Sequence, residues 1–288
     1  MTEADANWTV ITGSTGGIGS EIVKILAARG KSLILVNRSE RKSEAQRVQL
    51  QAIQPDLKIE LVTADLMDTT KVTNAIDMIK ALPGQIDALY NNSGVLTAER
   101  TLSAQGYESQ FAVNVLAPYQ LTLGLREKMA RSSQESPAMV ILFSSSAVNP
   151  QKTLKLSELA NPEKVSGIMG TYAQTKLAVT ALAPALSKDL EADNILIRAV
   201  DPGATKTAMT TGGNSAMPKP LQWVAPFLFS TADKQAAKVV DSADPSAFDG
   251  QTGIFVANRK VKKHPRPAAD TSNQRQLIAM LDAALSAG

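Results

Sequence analysis

Short apolar runs alternate along the chain with longer segments in which apolar residues recur at helical spacing. The runs are continuous in Val, Ile and Leu, a pattern that predicts strands covered on both faces. The predicted strands are 8–12, 32–36, 59–62, 86–90, 138–143 and 195–200, and the predicted helices are 20–29, 39–54, 70–82, 106–130 and 172–191. This alternation predicts a doubly wound α/β fold, in which helices cover both faces of a parallel sheet.

Glycine, serine and amide residues cluster where several of the predicted strands end. These clusters are the segments 13–19, 91–94, 144–146 and 201–203. Because open parallel sheets bind ligands at the carboxyl ends of their strands, the clusters should meet at one edge of the sheet. The pattern therefore predicts one shared ligand site.

The first cluster is a glycine-rich loop between a strand and a helix. Glycine permits positive φ and lets backbone N–H groups approach a ligand, and a helix N-terminus attracts phosphate. A glycine-rich loop can also be an ordinary tight turn, but its place in the first β–α–β unit favours a dinucleotide. The residues predicted to form the phosphate site are Gly13, Ser14, Thr15, Gly17, Ile18 and Gly19.

The end of the second strand indicates which dinucleotide binds. Enzymes that use NAD usually place Asp or Glu there, whereas this chain has Asn37, Arg38 and Ser39. A carboxylate would repel a 2′-phosphate, but the guanidinium of Arg38 can pair with it. The sequence therefore predicts NADP(H). The alternative is that Arg38 merely begins a solvated helix.

Tyr172 and Lys176 are four residues apart and share one face of a predicted helix. A phenol has a pKa near 10 and is a poor base at neutral pH, but a nearby ammonium group lowers that pKa. Such a pair can exchange the proton that accompanies hydride transfer. The spacing is common, and the alternative is an exposed helical face.

Two further polar residues favour the catalytic interpretation. Ser145 follows a buried strand, where its hydroxyl can hold a substrate carbonyl oxygen or, alternatively, satisfy backbone groups of the loop. Asn114 lies in an apolar helical stretch, where asparagine is disfavoured unless it has a buried partner. That partner is either a water that relays protons from Lys176 or a neighbouring turn that the side chain holds in place.

Composition excludes several classes of function. The absence of cysteine excludes disulfides, thiolate metal sites and cysteine nucleophiles. The net charge of +3 is spread thinly, and the basic cluster 259–266 lacks aromatic neighbours, so no nucleic-acid partner is expected. His264 is the lone histidine and lacks ligand-spaced partners, so we expect it at the surface and expect no metal site.

The beginning of the chain, 1–7, is polar and acidic and lacks the features of a signal peptide. No apolar run approaches the length that spans a bilayer. We therefore expect a cytoplasmic protein without a membrane anchor. This also argues against a lipid substrate delivered by a membrane.

The motifs occur in the order of one known superfamily. They are Thr12-Gly13-x-x-x-Gly17-x-Gly19, Asn91-Asn92-Ser93-Gly94, Asn114, Ser145, Tyr172-x-x-x-Lys176 and Pro202-Gly203. Over about 8–260 the chain resembles the short-chain dehydrogenase/reductase superfamily. It is most similar to the retinol dehydrogenase-like and protochlorophyllide reductase-like branch, because of Asn37-Arg38, the segment 106–114 and the 27-residue interval from Ser145 to Tyr172.

The resemblance implies a role for each matched position. Tyr172 would be the general acid/base, Lys176 would bind the nicotinamide ribose and lower the pKa of the tyrosine, and Ser145 would orient the carbonyl. Asn114 would hold the water of the proton relay. The further cofactor contacts that the resemblance implies are Asp65, Leu66, Asn91, Asn92, Ser93, Gly94, Pro202, Gly203, Thr205 and Thr207.

The resemblance also implies one Rossmann-like domain over 1–288, with three layers around a seven-stranded parallel sheet. Substrate contacts are expected from 147–170 and from a substrate loop at about 208–235, and about 260–288 forms a C-terminal extension. In the substrate loop, glycines precede Trp223 and Phe227, which suits a lid over an apolar substrate. The alternative is ordinary helical core.

Residues and resemblance together predict an NADP(H)-dependent oxidoreductase. It would move a hydride between nicotinamide and the carbonyl or alcohol carbon of a small, apolar molecule. The alternative is a catalytically silent NADP-binding sensor or interaction protein, although such proteins usually lose the tyrosine or the lysine.

Pro184 should kink the helix 172–191. In this superfamily that helix often forms a subunit interface, so homodimer, homotetramer and monomer all stay open.

Overall fold

The computed structural model describes residues 7–132, 134–205 and 230–287. Thr207, Trp223, Phe227 and most of the predicted substrate loop lie outside these ranges. Among the described residues, no helix is both long and apolar enough to cross a bilayer.

A single mixed sheet forms the middle layer. Its strands are β1 (Asn7–Thr12), β2 (Ser32–Asn37), β3 (Ile59–Thr63), β4 (Gln85–Asn91), β5 (Ala138–Phe143), β6 (Ile195–Asp201), β7 (Ile254–Ala257) and β8 (Lys260–Lys262). They lie in the order β3-β2-β1-β4-β5-β6-β7-β8. The order reverses between β1 and β4, which is the place where sheets of this type bind ligands.

The described sheet has eight strands rather than the predicted seven. β8 pairs antiparallel with β7, and Asn258 and Arg259 turn the chain between them with φ of 52° and 57°. The strand Lys260–Lys262 is short and exposed, so it carries no apolar run that a sequence pattern could detect. The other seven strands are parallel, as predicted.

Helices cover both faces of the sheet. They are α1 (Gly17–Ala28), α2 (Glu40–Ile53), α3 (Thr69–Ala81), α4 (Ser109–Phe111), α5 (Ala117–Gly124), α6 (Arg126–Met129), α7 (Leu156–Leu159), α8 (Tyr172–Glu191), α9 (Ala232–Ser242), α10 (Arg266–Ala269) and α11 (Thr271–Ser286). One core cluster joins the sheet to α3, α5, α8 and α11, and a second joins it to α1, α2 and α9. Neighbouring residues of β1 alternate between them, since Val10 enters the first cluster and Ile11 the second.

The helix predicted over 106–130 is interrupted. A π-helical segment, Ala112–Leu116, separates α4 from α5, and Leu125 separates α5 from α6. A π-turn inserts one residue into the helical repeat and is frequent at functional sites. The segment is apolar at every position except Asn114 and is buried throughout, so its pattern does not distinguish the two helix types. By contrast, α8 continues through Pro184 without a break.

The C-terminal extension ends in α11, which packs on α8 and α5. The Tyr119 hydroxyl on α5 donates to Asp282 of α11 at 2.5 Å, and Leu277 and Leu281 are fully buried. His264, expected at the surface, is instead half-buried, with a ring nitrogen 2.8 Å from the carbonyl oxygen of Gly253.

The guanidinium of Arg198 holds the segment that follows α9. Arg198 lies on β6, is fully buried, and donates all five of its N–H groups to backbone carbonyls. These belong to Gln251, Ser242, Asp244, Pro245 and Ala247, at 2.7–3.1 Å. We expect Arg198→Leu to cost about 3–5 kcal/mol of unfolding free energy in urea denaturation, because several buried carbonyls lose their donors.

Arg29→Leu is a matched control for this prediction. The Arg29 side chain is half exposed, and its guanidinium lies 3.8 Å from Asp241. Such surface pairs contribute about 1 kcal/mol or less. Equal losses for the two variants would show that the buried hydrogen bonds of Arg198 add no stability.

Candidate active site

The first turns of α8 bring Tyr172 and Lys176 to the carboxyl edge of the sheet. Lys176 is almost fully buried, and its ammonium donates to the carbonyl oxygen of Phe143, the last residue of β5, at 2.8 Å. Its Nζ lies 5.7 Å from the centre of the Tyr172 ring. The structure therefore brings the two predicted residues together, and they do not form an exposed helical face.

The protonation of this pair follows from burial. Burial raises the pKa of Tyr172 to about 12, a rise that a hydrogen bond with the Ser145 side chain partly offsets. Burial also lowers the pKa of Lys176 to about 8, against the negative charge of Asp201. The phenol pKa thus lies above its ordinary value in this structure, with burial as the largest cause and the negative charge of Asp201 adding to the rise. Near neutral pH both groups carry their protons.

Ser145 is held by residues on either side of it. The hydroxyl of Ser144 lies 2.6 Å from that of Thr180 on α8, and Thr180 also donates to the carbonyl oxygen of Lys176 at 2.6 Å. Ser145 begins a short helical turn, Ser146–Val148, where its hydroxyl accepts weakly from the Ala147 N–H at 3.3 Å. The Ser145 side chain also acts on Tyr172, because it lowers the pKa of the phenol in opposition to burial.

Asn114 lies inside the π-helical segment and is fully buried. Its carbonyl oxygen accepts from the Val95 N–H at 2.8 Å, and its amide donates to the Val95 carbonyl at 3.0 Å and to the hydroxyl of Thr175 at 3.1 Å. Asn114 therefore holds a neighbouring turn in place. A Cβ added to Gly94 would lie 3.4 Å from both the Asn114 oxygen and the Lys176 nitrogen, so these two side chains also converge on one point.

The glycine loop is shaped so that side chains would not fit. A Cβ on Gly19 would lie 2.5 Å from the Gly13 carbonyl oxygen, and one on Gly13 would lie 2.6 Å from the Ser93 hydroxyl. Gly13 and Gly17 have φ of 66° and 58°. Helix α1 follows, with Gly16 as its N-cap residue, no side-chain cap and no acidic residue in its first turn. This N-terminus is suited to a phosphate group.

A buried network fixes Ser14 within that loop. Asn37 accepts from the Ser14 N–H at 2.8 Å and donates to its hydroxyl at 2.9 Å. Gln46 on α2 accepts from the same hydroxyl and donates to the Ser14 carbonyl, both at 2.6 Å. Asn37 thus supports the loop from inside the protein, whereas Arg38 is exposed beside it.

The other residues implied by the resemblance lie along the same edge. Asn92 donates to the carbonyls of Thr12 and Gly13 at 2.9 and 3.0 Å, and the Ser93 N–H donates to the Thr12 hydroxyl at 2.9 Å. These bonds join the ends of β1 and β4. They place the fourth-strand turn directly beside the glycine loop.

Side chains at both ends of the site are engaged in local turns. Asp65 accepts from the Met67 N–H at 3.1 Å, and Leu66 is buried. Thr205 donates to the carbonyl of Gly203, whose φ is 88°. Pro202, Ser39, Thr15 and Ile18 are partly exposed, and Asn91 is buried.

Several supporting residues were not predicted. Thr175 and Thr180 are fully buried on α8 and connect its first turns to Asn114 and Ser144. Asp201 ends β6, and burial raises the pKa of its carboxyl against the opposing charge of Lys176. Of these three residues, only Asp201 could have been found from the sequence, because it directly follows a predicted buried strand.

Comparison with known families gives the class of this protein. The family model of the short chain dehydrogenases matches residues 7–156, which include the glycine loop, Asn114 and Ser145. The chain belongs to the short-chain dehydrogenase family, a family of oxidoreductases that use nicotinamide cofactors.

Individual relatives match over most of the chain. The short-chain dehydrogenase TIC 32 A, chloroplastic, of Brassica napus is 29% identical over 91% of this chain and 83% of its own length. A polyprenol dehydrogenase of Danio rerio is 26% identical over 96% and 86%. A 3alpha-hydroxysteroid dehydrogenase of Mediterraneibacter gnavus is 31% identical over 74% and 79%.

A solved structure confirms the fold. The crystal structure of a putative uncharacterized protein from Mycobacterium Paratuberculosis superposes with a TM-score of 0.76 at 24% identity, over 98% of this chain and 94% of that one. At this level of identity the likeness supports the Rossmann-like α/β architecture alone.

Proposed function

We propose that this protein reduces the carbonyl group of a small, apolar aldehyde or ketone with NADPH, and oxidises the corresponding alcohol in reverse. Tyr172 donates the proton, Ser145 holds the carbonyl oxygen and Lys176 binds the nicotinamide ribose. The observation that carries the proposal is the convergence of Tyr172, Lys176 and Ser145 beside the glycine loop. One domain over 1–288 would hold both the cofactor and the catalytic groups.

Near neutral pH, Tyr172 holds its proton and is therefore in the form that reduction requires. Bound NADPH supplies the hydride. A carbonyl that accepts it develops negative charge on oxygen, which the Tyr172 phenol and the Ser145 hydroxyl are placed to stabilise. Because burial raises the pKa of Tyr172 to about 12, the phenol still holds the proton that this oxygen requires.

The proton of Tyr172 must be replaced after each turnover. Lys176 and Asn114 lie next to each other around Gly94, and both are buried. We propose that Asn114 holds a water that passes protons to Lys176, in addition to holding the Val95 turn. Both functions fit its position, because its carbonyl oxygen and the Lys176 ammonium each lie 3.4 Å from the point where a Gly94 Cβ would be, and a carbonyl oxygen that accepts from the Val95 N–H has a second lone pair.

NADP rather than NAD is proposed from the end of β2. Arg38 is exposed there beside the glycine loop, and the carboxylate typical of NAD enzymes is replaced by Asn37, whose side chain is turned inward to Ser14. The guanidinium can therefore bind a 2′-phosphate.

The substrate is proposed to be apolar. Two relatives are named as a polyprenol dehydrogenase and a 3alpha-hydroxysteroid dehydrogenase, and isoprenoid alcohols and steroids are both largely hydrocarbon. The predicted substrate loop carries Trp223 and Phe227, which would suit such a molecule.

The cytosolic location stays a prediction from the sequence.

The proposal is tested by NADPH oxidation with farnesal, decanal, benzaldehyde and a ketosteroid. We expect turnover with at least one of these compounds and a preference for the more apolar ones. Tight NADPH binding without turnover of any of them would contradict the proposal and favour a silent sensor.

The rate of reduction should depend on pH through Lys176. We expect kcat/KM to be constant near neutral pH and to fall as pH rises through about 8, because the pKa of Lys176 is lowered to about 8 and its ammonium is lost above that value. Tyr172 keeps its proton over this range, since its pKa is about 12. A profile that stays flat to about pH 10 would contradict the assigned role of Lys176.

A further inference from the structure

Gln174 lies between Tyr172 and Lys176 in the first turn of α8, and the proposed mechanism gives it no role. Its side-chain amide bonds to the backbone of the segment 146–171, which connects Ser145 to Tyr172. The amide oxygen accepts from the Lys155 N–H at 2.8 Å, and the amide nitrogen donates to the Thr153 carbonyl at 3.1 Å. Because one partner is a donor and the other an acceptor, the orientation of the Gln174 amide is fixed.

A second glutamine, Gln151, continues this network. The Gln174 nitrogen also donates to the side-chain oxygen of Gln151 at 2.9 Å. The side-chain nitrogen of Gln151 donates in turn to the Met169 carbonyl at 3.1 Å, and its backbone N–H donates to the Val148 carbonyl at 3.1 Å. Gln151 and Gln174, the glutamine pair, therefore connect α8 to both ends of the segment.

The two ends that Gln151 contacts lead directly to the proposed catalytic groups. Val148 closes the short helical turn that begins at Ser145. Met169 is close in sequence to Tyr172 and belongs to the turn that leads into α8. A shift of either end would therefore move Ser145 relative to Tyr172.

The turn before Tyr172 is itself tightly closed. The Thr171 N–H donates to the Ser166 carbonyl at 2.7 Å, and the Ser166 N–H donates to the Thr171 hydroxyl at 2.9 Å. A Cβ on Gly170 would lie 2.1 Å from the Ser166 hydroxyl oxygen, so no larger residue fits there. A bond to the Met169 carbonyl therefore acts on a compact unit that is continuous with α8.

The middle of the segment is held by other residues. The Glu108 N–H donates to the Ala160 carbonyl at 2.8 Å, and the Arg100 guanidinium donates to the Pro162 carbonyl at 2.9 Å. Both donors belong to the chain that follows β4. Loss of the glutamine pair should therefore loosen the ends of the segment and leave its middle in place.

We propose that Gln174 is a positioning residue for the reaction, which acts through Gln151 to hold the Ser145 turn in place relative to Tyr172. In the proposed function, Ser145 and Tyr172 act on one carbonyl oxygen, and a misplacement of about 1 Å can lower a rate about 100-fold. The role in the reaction rests on that function, whereas the hydrogen bonds are a property of the fold. The two can therefore be tested separately.

The hydrogen bonds are tested by amide hydrogen exchange measured with NMR. We expect Gln174→Ala to speed exchange at Lys155 at least about fivefold, because this N–H loses its acceptor. Exchange at Asn149 and Thr171, at the two ends of the segment, should also become faster. Gln151→Ala should loosen the same two ends without freeing Lys155, and it serves as the second variant if Gln174→Ala does not fold. Glu108, which holds the middle, should be unchanged in both.

The positioning role is tested by the kinetics of the folded variants at saturating substrate. We expect Gln174→Ala to lower kcat for the best aldehyde at least about fivefold and to change the Kd of NADPH by less than about twofold. Gln151→Ala should have a similar effect. Gln276→Ala is the matched control, since its exposed amide donates to Ser272 of the same helix at 3.2 Å, and its kcat should stay within about twofold of the parent.

A Ser145→Ala background distinguishes positioning from a general loss of structure. If the glutamine pair acts by holding the Ser145 hydroxyl in place, Gln174→Ala should lower kcat by less than about twofold once that hydroxyl is absent. A general loss of structure would lower kcat by the same factor in both backgrounds.

Parental exchange rates at Asn149 and Thr171, a parental kcat in Gln174→Ala, or an equal loss of kcat in the two backgrounds would each overturn the proposal. Activity of Tyr172→Phe separates these results from failure of the proposed function. If the ends of the segment loosen as expected while Tyr172→Phe turns over normally, the hydrogen bonds of the glutamine pair are supported and the assigned chemistry is wrong.

Discussion

Replacing Tyr172 with phenylalanine should lower kcat for carbonyl reduction by at least about 100-fold while NADPH affinity changes by less than about threefold. The substitution removes the phenol oxygen and keeps the ring, so the packing beside Lys176 is retained. The phenol is the proton donor in the proposed mechanism, and burial keeps it protonated by raising its pKa to about 12. NADPH fluorescence titration measures binding, and NADPH oxidation with the best aldehyde measures turnover.

Tyr107→Phe is the matched control for this prediction. Its hydroxyl donates to the carbonyl of Ala284 at 3.3 Å, in the C-terminal helix α11, and takes no part in the site. We expect its kcat to stay within about twofold of the parent, since the lost hydrogen bond is weak. Normal turnover in Tyr172→Phe would remove Tyr172 from the chemistry.

Replacing Arg38 with alanine should weaken NADPH binding about 10- to 100-fold and NADH binding by less than about threefold. Charge-assisted hydrogen bonds contribute about 1.5–3 kcal/mol each, and about 1.4 kcal/mol corresponds to a tenfold change in affinity. The 2′-phosphate distinguishes the two cofactors, so the loss should be confined to NADPH. The measurement is a pair of dissociation constants for each variant.

Arg47→Ala removes the same charge from helix α2 farther along the chain. Its guanidinium pairs with Glu44 at 2.7 Å, and its side chain is on the helix surface. The affinity for both cofactors should be unchanged in this control. If Arg38→Ala weakens NADPH and NADH equally, the phosphate contact is wrong and Arg38 merely begins a solvated helix.

The sheet could be predicted because most of its strands are short, continuous apolar runs between glycine and proline signals. Since ligands of parallel sheets bind at the carboxyl ends of the strands, the same pattern also predicted where the site should lie. Tyr172 and Lys176 were predictable together because helical geometry alone places them on one face. Their contact with the end of β5, through the Phe143 carbonyl, depends on how α8 packs on the sheet.

Other features depend on tertiary packing and left no local pattern. Gln46 fixes Ser14 from 32 residues away, and a polar residue on a polar helix gives no sign of that contact. The direction of the Tyr172 pKa also depends on burial, which the four-residue spacing to Lys176 does not reveal. The strand Lys260–Lys262 is exposed and basic, so hydrophobic patterning could not detect it.

The central claim is that hydride moves from NADPH to a carbonyl carbon held between Ser145 and Tyr172. The most direct test uses NADPH deuterated at the transferable position of the nicotinamide, with farnesal and the other carbonyl compounds, and mass spectrometry of the alcohol formed. The account predicts one deuterium on the carbinol carbon of the product. Saturable NADPH binding with no deuterium in any product would contradict it.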